Sequence, residues 1–166
     1  MPADFKMKKK GDYLLVTCQG AYDGTGLKDV HQKALDCAVK EDLRAILVDT
    51  TGLHGHAPTA MERFDFGAAI ADMQRRNRSA IWIAFVGKEP LVDPGRFGET
   101  VAVHRGGFAK VFEDVDEAAA WIDERLAVRD NAKELSRARS RSGLRRPPPG
   151  SAGGQLLSQV GSNPPS

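Results

Sequence analysis

Asp49, Thr50, Thr51, His54, His56 and Thr59 crowd into one short stretch, DTTGLHGHAPT, directly behind the apolar run Ala45–Val48. A carboxylate, three hydroxyls and two imidazoles so close together raise four readings: a metal site, a hydrolytic site, a phosphate acceptor, or a turn with a helix cap. His54 and His56 supply two imidazoles, whereas a stable zinc site takes three or four ligands. The remaining histidines, His31 and His104, fall on two different predicted helices, so no metal site is read here. Asp49-Thr50-Thr51-Gly52 has the order of an aspartic-protease loop, but that chemistry needs two carboxylates sharing a proton, and only one copy of the loop is present. Neither a GxSxG nucleophile elbow nor a GxxxxGKS/T phosphate loop occurs. With no nucleophile–base pair and no cofactor motif, the expectation is a non-enzymatic protein that carries no cofactor.

Two accounts of the hydroxyls stay open. In one, Thr50 and Thr51 are turn residues closing the strand, and Thr59 caps the next helix. Thr59-Ala60-Met61-Glu62 has the pattern of a capping box, in which the threonine hydroxyl accepts from the Glu62 backbone N–H and the Glu62 carboxylate reaches back. In the other, Thr51, Thr59 or Thr50 accepts a phosphate. A doubly charged group at a helix mouth is favoured by the free N–H groups and the macrodipole, and it changes the surface a partner meets. Glu99, His104 and Arg105, ahead of Gly106-Gly107, form a second polar group; a cleft or a glycine-terminated helix end explains it equally.

These residues need elements to hold them. Phe5–Lys8 reads as a short edge strand, turned by Lys10-Gly11-Asp12 into a second strand, DYLLVTCQG, ending at Gly20. Leu27, Val30, Ala34, Leu35 and Ala38 recur at helical spacing behind a start near Thr25. Ala45–Val48 is short and wholly apolar, as a buried strand is. Met61, Phe64, Ala68, Ile70 and Met73 mark a second helix ending near Asn77. Ser79–Gly87 is a strand, a short helix lies between Pro94 and Gly106, and Ala109–Glu113 is the last strand. Asp114 caps a final helix holding Ala118, Trp121, Ile122 and Leu126 on one side. The order β-β-α-β-α-β-α-β-α predicts an α/β fold: a single mixed, mostly parallel sheet covered by about four helices, its first strand antiparallel.

Composition is that of an ordinary globular chain, 41% hydrophobic and 28% charged over 166 residues. No apolar run approaches the ~20 residues of a membrane span, and no apolar segment follows the first lysines as in a signal peptide, so the expected location is cytoplasmic. Cys18 and Cys37, with no CxxC, are read as small hydrophobes rather than a disulfide. The net charge of +2 hides an asymmetry: residues 131–166 hold six Lys or Arg against the single acid Glu134, leaving Met1–Asp130 net negative. A specific nucleic-acid-binding domain is not indicated. In residues 131–166, 17 of 36 are Gly, Pro or Ser and none is aromatic. The domain is therefore predicted to occupy residues 1–130, followed by a basic, disordered tail over 131–166.

From Phe5 to Leu126 the chain resembles the SpoIIAA-like branch of STAS domains, relatives of bacterial anti-sigma-factor antagonists. The likeness is carried by ILVDTTGL, by FGETVAVHRGG, and by KVFEDVDEAAAWIDE, above all Arg105-Gly106, Val111-Phe112 and Ala118–Ile122. It implies a regulatory module that binds a protein partner through the loop after the third strand and the helix that follows, switched by phosphorylating a hydroxyl there. Family members with the switch carry Asp-Ser-Ser-Gly at the mouth of the second helix. Asp49-Thr50-Thr51-Gly52 matches that in residue type, but residues 54–59 separate it from the helix. Thr50, Thr51 and Thr59 are thus the candidate phospho-acceptors, and His54, His56 and Arg105 the candidate contact surface. The alternative is a binder of a small apolar ligand or lipid, held between the sheet and helices Met61–Met73 and Phe97–Val103.

Overall fold

The computed structural model describes residues 3–78 and 80–143. The order is β1 (Asp4–Lys10), β2 (Tyr13–Ala21), α1 (Gly24–Lys40), β3 (Ala45–His54), α2 (Ala60–Arg76), β4 (Trp82–Val86), α3 (Phe97–His104), β5 (Ala109–Phe112) and α4 (Val115–Arg141). One five-stranded sheet runs β1-β2-β3-β4-β5; β1 is antiparallel to β2 and the other pairings are parallel. This is the predicted mixed α/β architecture with four helices. The chain divides after Asn131 into an α/β unit and a second unit from Ala132 on.

The central strands are apolar on both faces because both faces are covered. Leu14, Val16, Cys18, Ile46, Val48 and Ile83 point to one side, where they pack with α1 and α2. Ala45, Leu47, Ala84 and Val86 point to the other, against Ala118, Trp121, Ile122 and Leu126 of α4. β1 escapes this rule: its lysines face outward along the sheet edge, where charge discourages pairing with another chain.

Two helices open on aspartate caps. The Asp23 carboxylate accepts from the Thr25 and Gly26 N–H groups at 3.1 and 3.2 Å, opening α1. Asp114 Oδ1 accepts from Asp116 and Glu117 N–H at 2.8 and 3.0 Å, opening α4. α2 and α3 approach closely through glycine: a Cβ on Gly67 would run into the Gly98 carbonyl oxygen of α3.

Three expectations are corrected. β3 does not stop at Val48 with DTTG as a turn; it continues through Asp49–Leu53 to His54, paired with β2 out to Ala21 across a bulge at Thr17–Gln19. Gly52 permits this, since a Cβ there would lie 2.7 Å from the Cys18 carbonyl oxygen. β4 begins at Trp82, although Ile81 is already buried; Ser79 lies outside the described residues. The predicted irregular tail is helical through Arg141. Periodicity reports burial rather than helicity, and Ala132, Lys133, Glu134, Leu135 and Arg137 are strong helix formers that stay exposed. The remainder of that tail, residues 144–166, lies outside the described residues. Cys18 and Cys37 are free thiols, and burial raises the Cys18 pKa to about 11.

Candidate functional site

β4 ends at Val86, opposite Asp49, while β3 runs on to His54, and the segment after β4 faces that extension. Thr50, Thr51 and His54 of β3 and His56 just behind it line one groove with Lys88–Leu91 and with Tyr22. Its volume is ≈ 230 Å³. Crevices at the carboxyl ends of parallel strands are where open α/β sheets place ligands and contacts.

The candidate hydroxyls separate by environment. Thr50 is 1% exposed, and its Oγ1 donates to the Val86 carbonyl at 2.7 Å, tying β3 to β4. That removes Thr50 from the hydroxyls a kinase or a partner can reach: strand alternation, continued past Val48, turns it inward. Thr51, its neighbour, is exposed. Its Oγ1 donates to Asp49 Oδ1 at 2.7 Å, and its N–H donates to the same oxygen at 3.0 Å. A phosphate on Thr51 would meet a carboxylate at once, which opposes its addition.

Thr59 stands at the mouth of α2 with the full capping box. Its Oγ1 accepts from Glu62 N–H at 3.2 Å, and its own N–H donates to Glu62 Oε2 at 2.7 Å. Hydrogen bonds from Thr59, its backbone N–H first, hold the Glu62 carboxyl below its ordinary pKa. His56 Nε2 lies 3.7 Å from Glu62 Oε1, and its ring meets Tyr22 edge-on at 5.4 Å. Burial, then the nearby Glu62 and Asp23, push the Tyr22 phenol above its usual pKa. Thr59→Ala is expected to destabilise the domain by about 1 kcal/mol, and Thr59→Asp, itself a good cap, to recover most of that in urea unfolding.

Arg105 lies apart from this groove. Its guanidinium sits over the ring of Phe64 on α2, 5.2 Å from the centroid. Phe64 and Met61, one helical turn apart, are 36% and 68% exposed, an apolar flank of α2 beside the capped end. Glu99, His104 and Arg105 do not converge: Glu99 Oε2 accepts from Val111 N–H at 2.7 Å and secures β5, while His104 faces outward. Among the described residues no group of His, Cys, Asp or Glu is arranged to hold a metal ion, and no helix is long and apolar enough to cross a membrane.

A second cavity lies beneath α2, between α1, α3 and strands β4 and β5, and measures ≈ 80 Å³. Its position is the one predicted for an apolar ligand, but it falls below the roughly 300–1,000 Å³ that encloses a drug-sized molecule, so a lipid tail is not accommodated. Its mouth holds Arg63, whose Nη2 donates to the Pro90 carbonyl at 3.0 Å and whose Nε lies 3.5 Å from Asp93 Oδ1. Its wall holds His31, a residue the site reading passed over. The signal was present: His31 falls four residues after Leu27 and three before Ala34, inside the apolar stripe of α1.

No protein-family model matches the chain, and no curated protein matches it. Among solved structures it is similar to an anti-sigma factor antagonist from Mycobacterium paratuberculosis, with 10% identity and a TM-score of 0.49 over 74% of this chain and 95% of that one. It is also similar to an uncharacterized protein from the DUF3478 family with a SpoIIAA-like fold from Shewanella loihica PV-4, with 18% identity and a TM-score of 0.40, over 72% and 92% of the two chains.

Proposed function

We propose that the protein is a regulatory protein-interaction module whose contact face is the β3–α2 loop together with the exposed flank of α2. The observation that carries this is the juxtaposition of Met61, Phe64 and Arg105, an apolar helix flank with a guanidinium stacked on it. Met, aromatic and Arg side chains are the types enriched where proteins meet. The STAS resemblance points to the same loop and helix. Thr59 is the hydroxyl placed to tune the face: it is exposed, it opens the helix, and a phosphate on it would add charge within reach of Met61 and His56.

The test is capture of partners from the native host by tagged protein. Met61→Asp keeps a favourable residue in the first turn of α2, and Phe64→Ala removes the ring under Arg105. Each is expected to reduce capture of the same protein at least tenfold, while Lys8→Ala on the far edge strand leaves it unchanged. Thr59→Asp is expected to keep wild-type stability and to weaken capture. A set of captured proteins indifferent to Met61 and Phe64 overturns the assignment of the face.

A further inference from the structure

Among the described residues, two buried polar atoms around the cavity beneath α2 lack a hydrogen-bond partner: Arg63 Nε at its mouth, which faces Asp93 Oδ1 in an ion pair at 3.5 Å, and His31 Nε2 in its wall, which faces no charge. His31 is 2% exposed, and its Nδ1 lies 2.9 Å from the Leu27 carbonyl oxygen of its own helix. A carbonyl only accepts, so Nδ1 carries the ring proton and Nε2 is left as an acceptor with a free lone pair. Nε2 is buried and has no hydrogen-bond partner among the described residues. Because Nδ1 turns back to α1, Nε2 on the far side of the ring turns away from it. The ring itself is gripped by aromatics, edge-on to Phe66 at 5.0 Å and stacked on Phe85 at 5.8 Å. Both phenylalanines line the cavity with His31, as do Ile70, Ile83 and Ala102.

An orphaned buried acceptor is costly, which is why such groups in folded proteins are normally paired. Water is a poor occupant. It needs two to four polar partners, and the groups at the mouth are engaged elsewhere: Arg63 Nη2 on Pro90 and its Nε in the ion pair with Asp93, Glu62 on Thr59, Glu99 on Val111. A molecule with one hydroxyl and an apolar body satisfies the site with a single bond and fills the rest with carbon. The volume is about half that of a ~150 Å³ apolar cavity able to hold benzene, which restricts the occupant to a short chain.

We infer that this cavity is a binding site for a small uncharged apolar molecule bearing a hydroxyl, which donates to His31 Nε2 while its carbon chain packs on Phe66, Ile70, Ile83 and Phe85. The mouth of this site, with Pro58 and Glu62, borders the proposed contact face, and the inference goes beyond the interaction reading.

Ethanol and dimethyl ether, isomers of which only the alcohol has an O–H, test it directly by NMR titration of the intact protein. Ethanol is expected to shift the Ile70 and Ile83 methyl resonances saturably, to move the His31 Nε2 resonance, and to bind about tenfold more tightly than the ether, the scale of one buried hydrogen bond. His31→Leu, which puts an apolar side chain in its place and removes the acceptor, is expected to bring the two isomers within about threefold. If ethanol gives no saturable shift, or if wild-type protein binds both isomers equally, the inference is overturned. The wild-type comparison and the His31 nitrogen signal decide this even if the variant does not fold.

Discussion

Replacing Trp121 with alanine is expected to destabilise the domain by roughly 3–5 kcal/mol, read as a large fall in the urea midpoint. Trp121 is the largest side chain on the buried face of α4, 9% exposed. It stands edge-on to Trp82 and tilted against Phe112, both at 5.6 Å, with the Arg125 guanidinium 5.4 Å from its ring. Its Nε1 has no hydrogen-bond partner among the described residues, so the loss is one of packing and ring contacts rather than of a polar bond. Among the described residues α4 is the one helix in the cluster on this side of the sheet, so no neighbouring helix there is placed to collapse into the space. A midpoint close to that of the wild type would mean that α4 does not cover the sheet in solution.

Acidification is the second large effect. Burial holds the His31 pKa at about 4, against an ordinary 6.5, with the bond to Leu27 opposing only part of that shift. Above pH 6.5 His31 is neutral in both the folded and the unfolded chain, and its titration adds no pH dependence. As the pH falls through 6.5 the unfolded chain takes up a proton that the folded chain refuses, so stability declines until the pH reaches about 4. At 1.36 kcal/mol per pKa unit the loss is about 3 kcal/mol, an upper scale for one fully buried imidazole. Carboxylates contribute in the lower part of the same window, the Glu62 cap among them. The quantity to measure is therefore the difference in pH dependence between wild type and His31→Leu. The variant is expected to lose the slope between pH 6.5 and 4; identical slopes would show that His31 is protonated in the folded protein or reached by solvent.

Trp121 was legible in the chain because it recurs with Ala118, Ile122 and Leu126 at helical spacing, and a stripe of that kind has to be buried. His31 shared a stripe in the same way, but a histidine on a helix reads as polar until its neighbours are known. The ring–ring contacts that bury it come from Phe66 on α2 and Phe85 on β4, which the sequence separates by many residues. Thr59 was legible as well, since a capping box is local and its two bonds involve only Thr59 and Glu62.

The sequence by itself determined the element order, the parallel sheet with its antiparallel first strand, the helix caps at Thr59 and Asp114, and the apolar faces that must be covered. Local hydrogen bonds and hydrophobic periodicity are enough for these, because each involves residues within one or two helical turns or one strand. Only the tertiary structure decided which of Thr50 and Thr51 is reachable, because that depends on β2 running on to Ala21 and drawing DTTGLH into β3. It also decided that Arg105 stacks on Phe64, and that Nε2 of His31 is left unpaired beneath α2. Those outcomes follow from where separate elements pack, and packing brings together side chains that no local pattern relates.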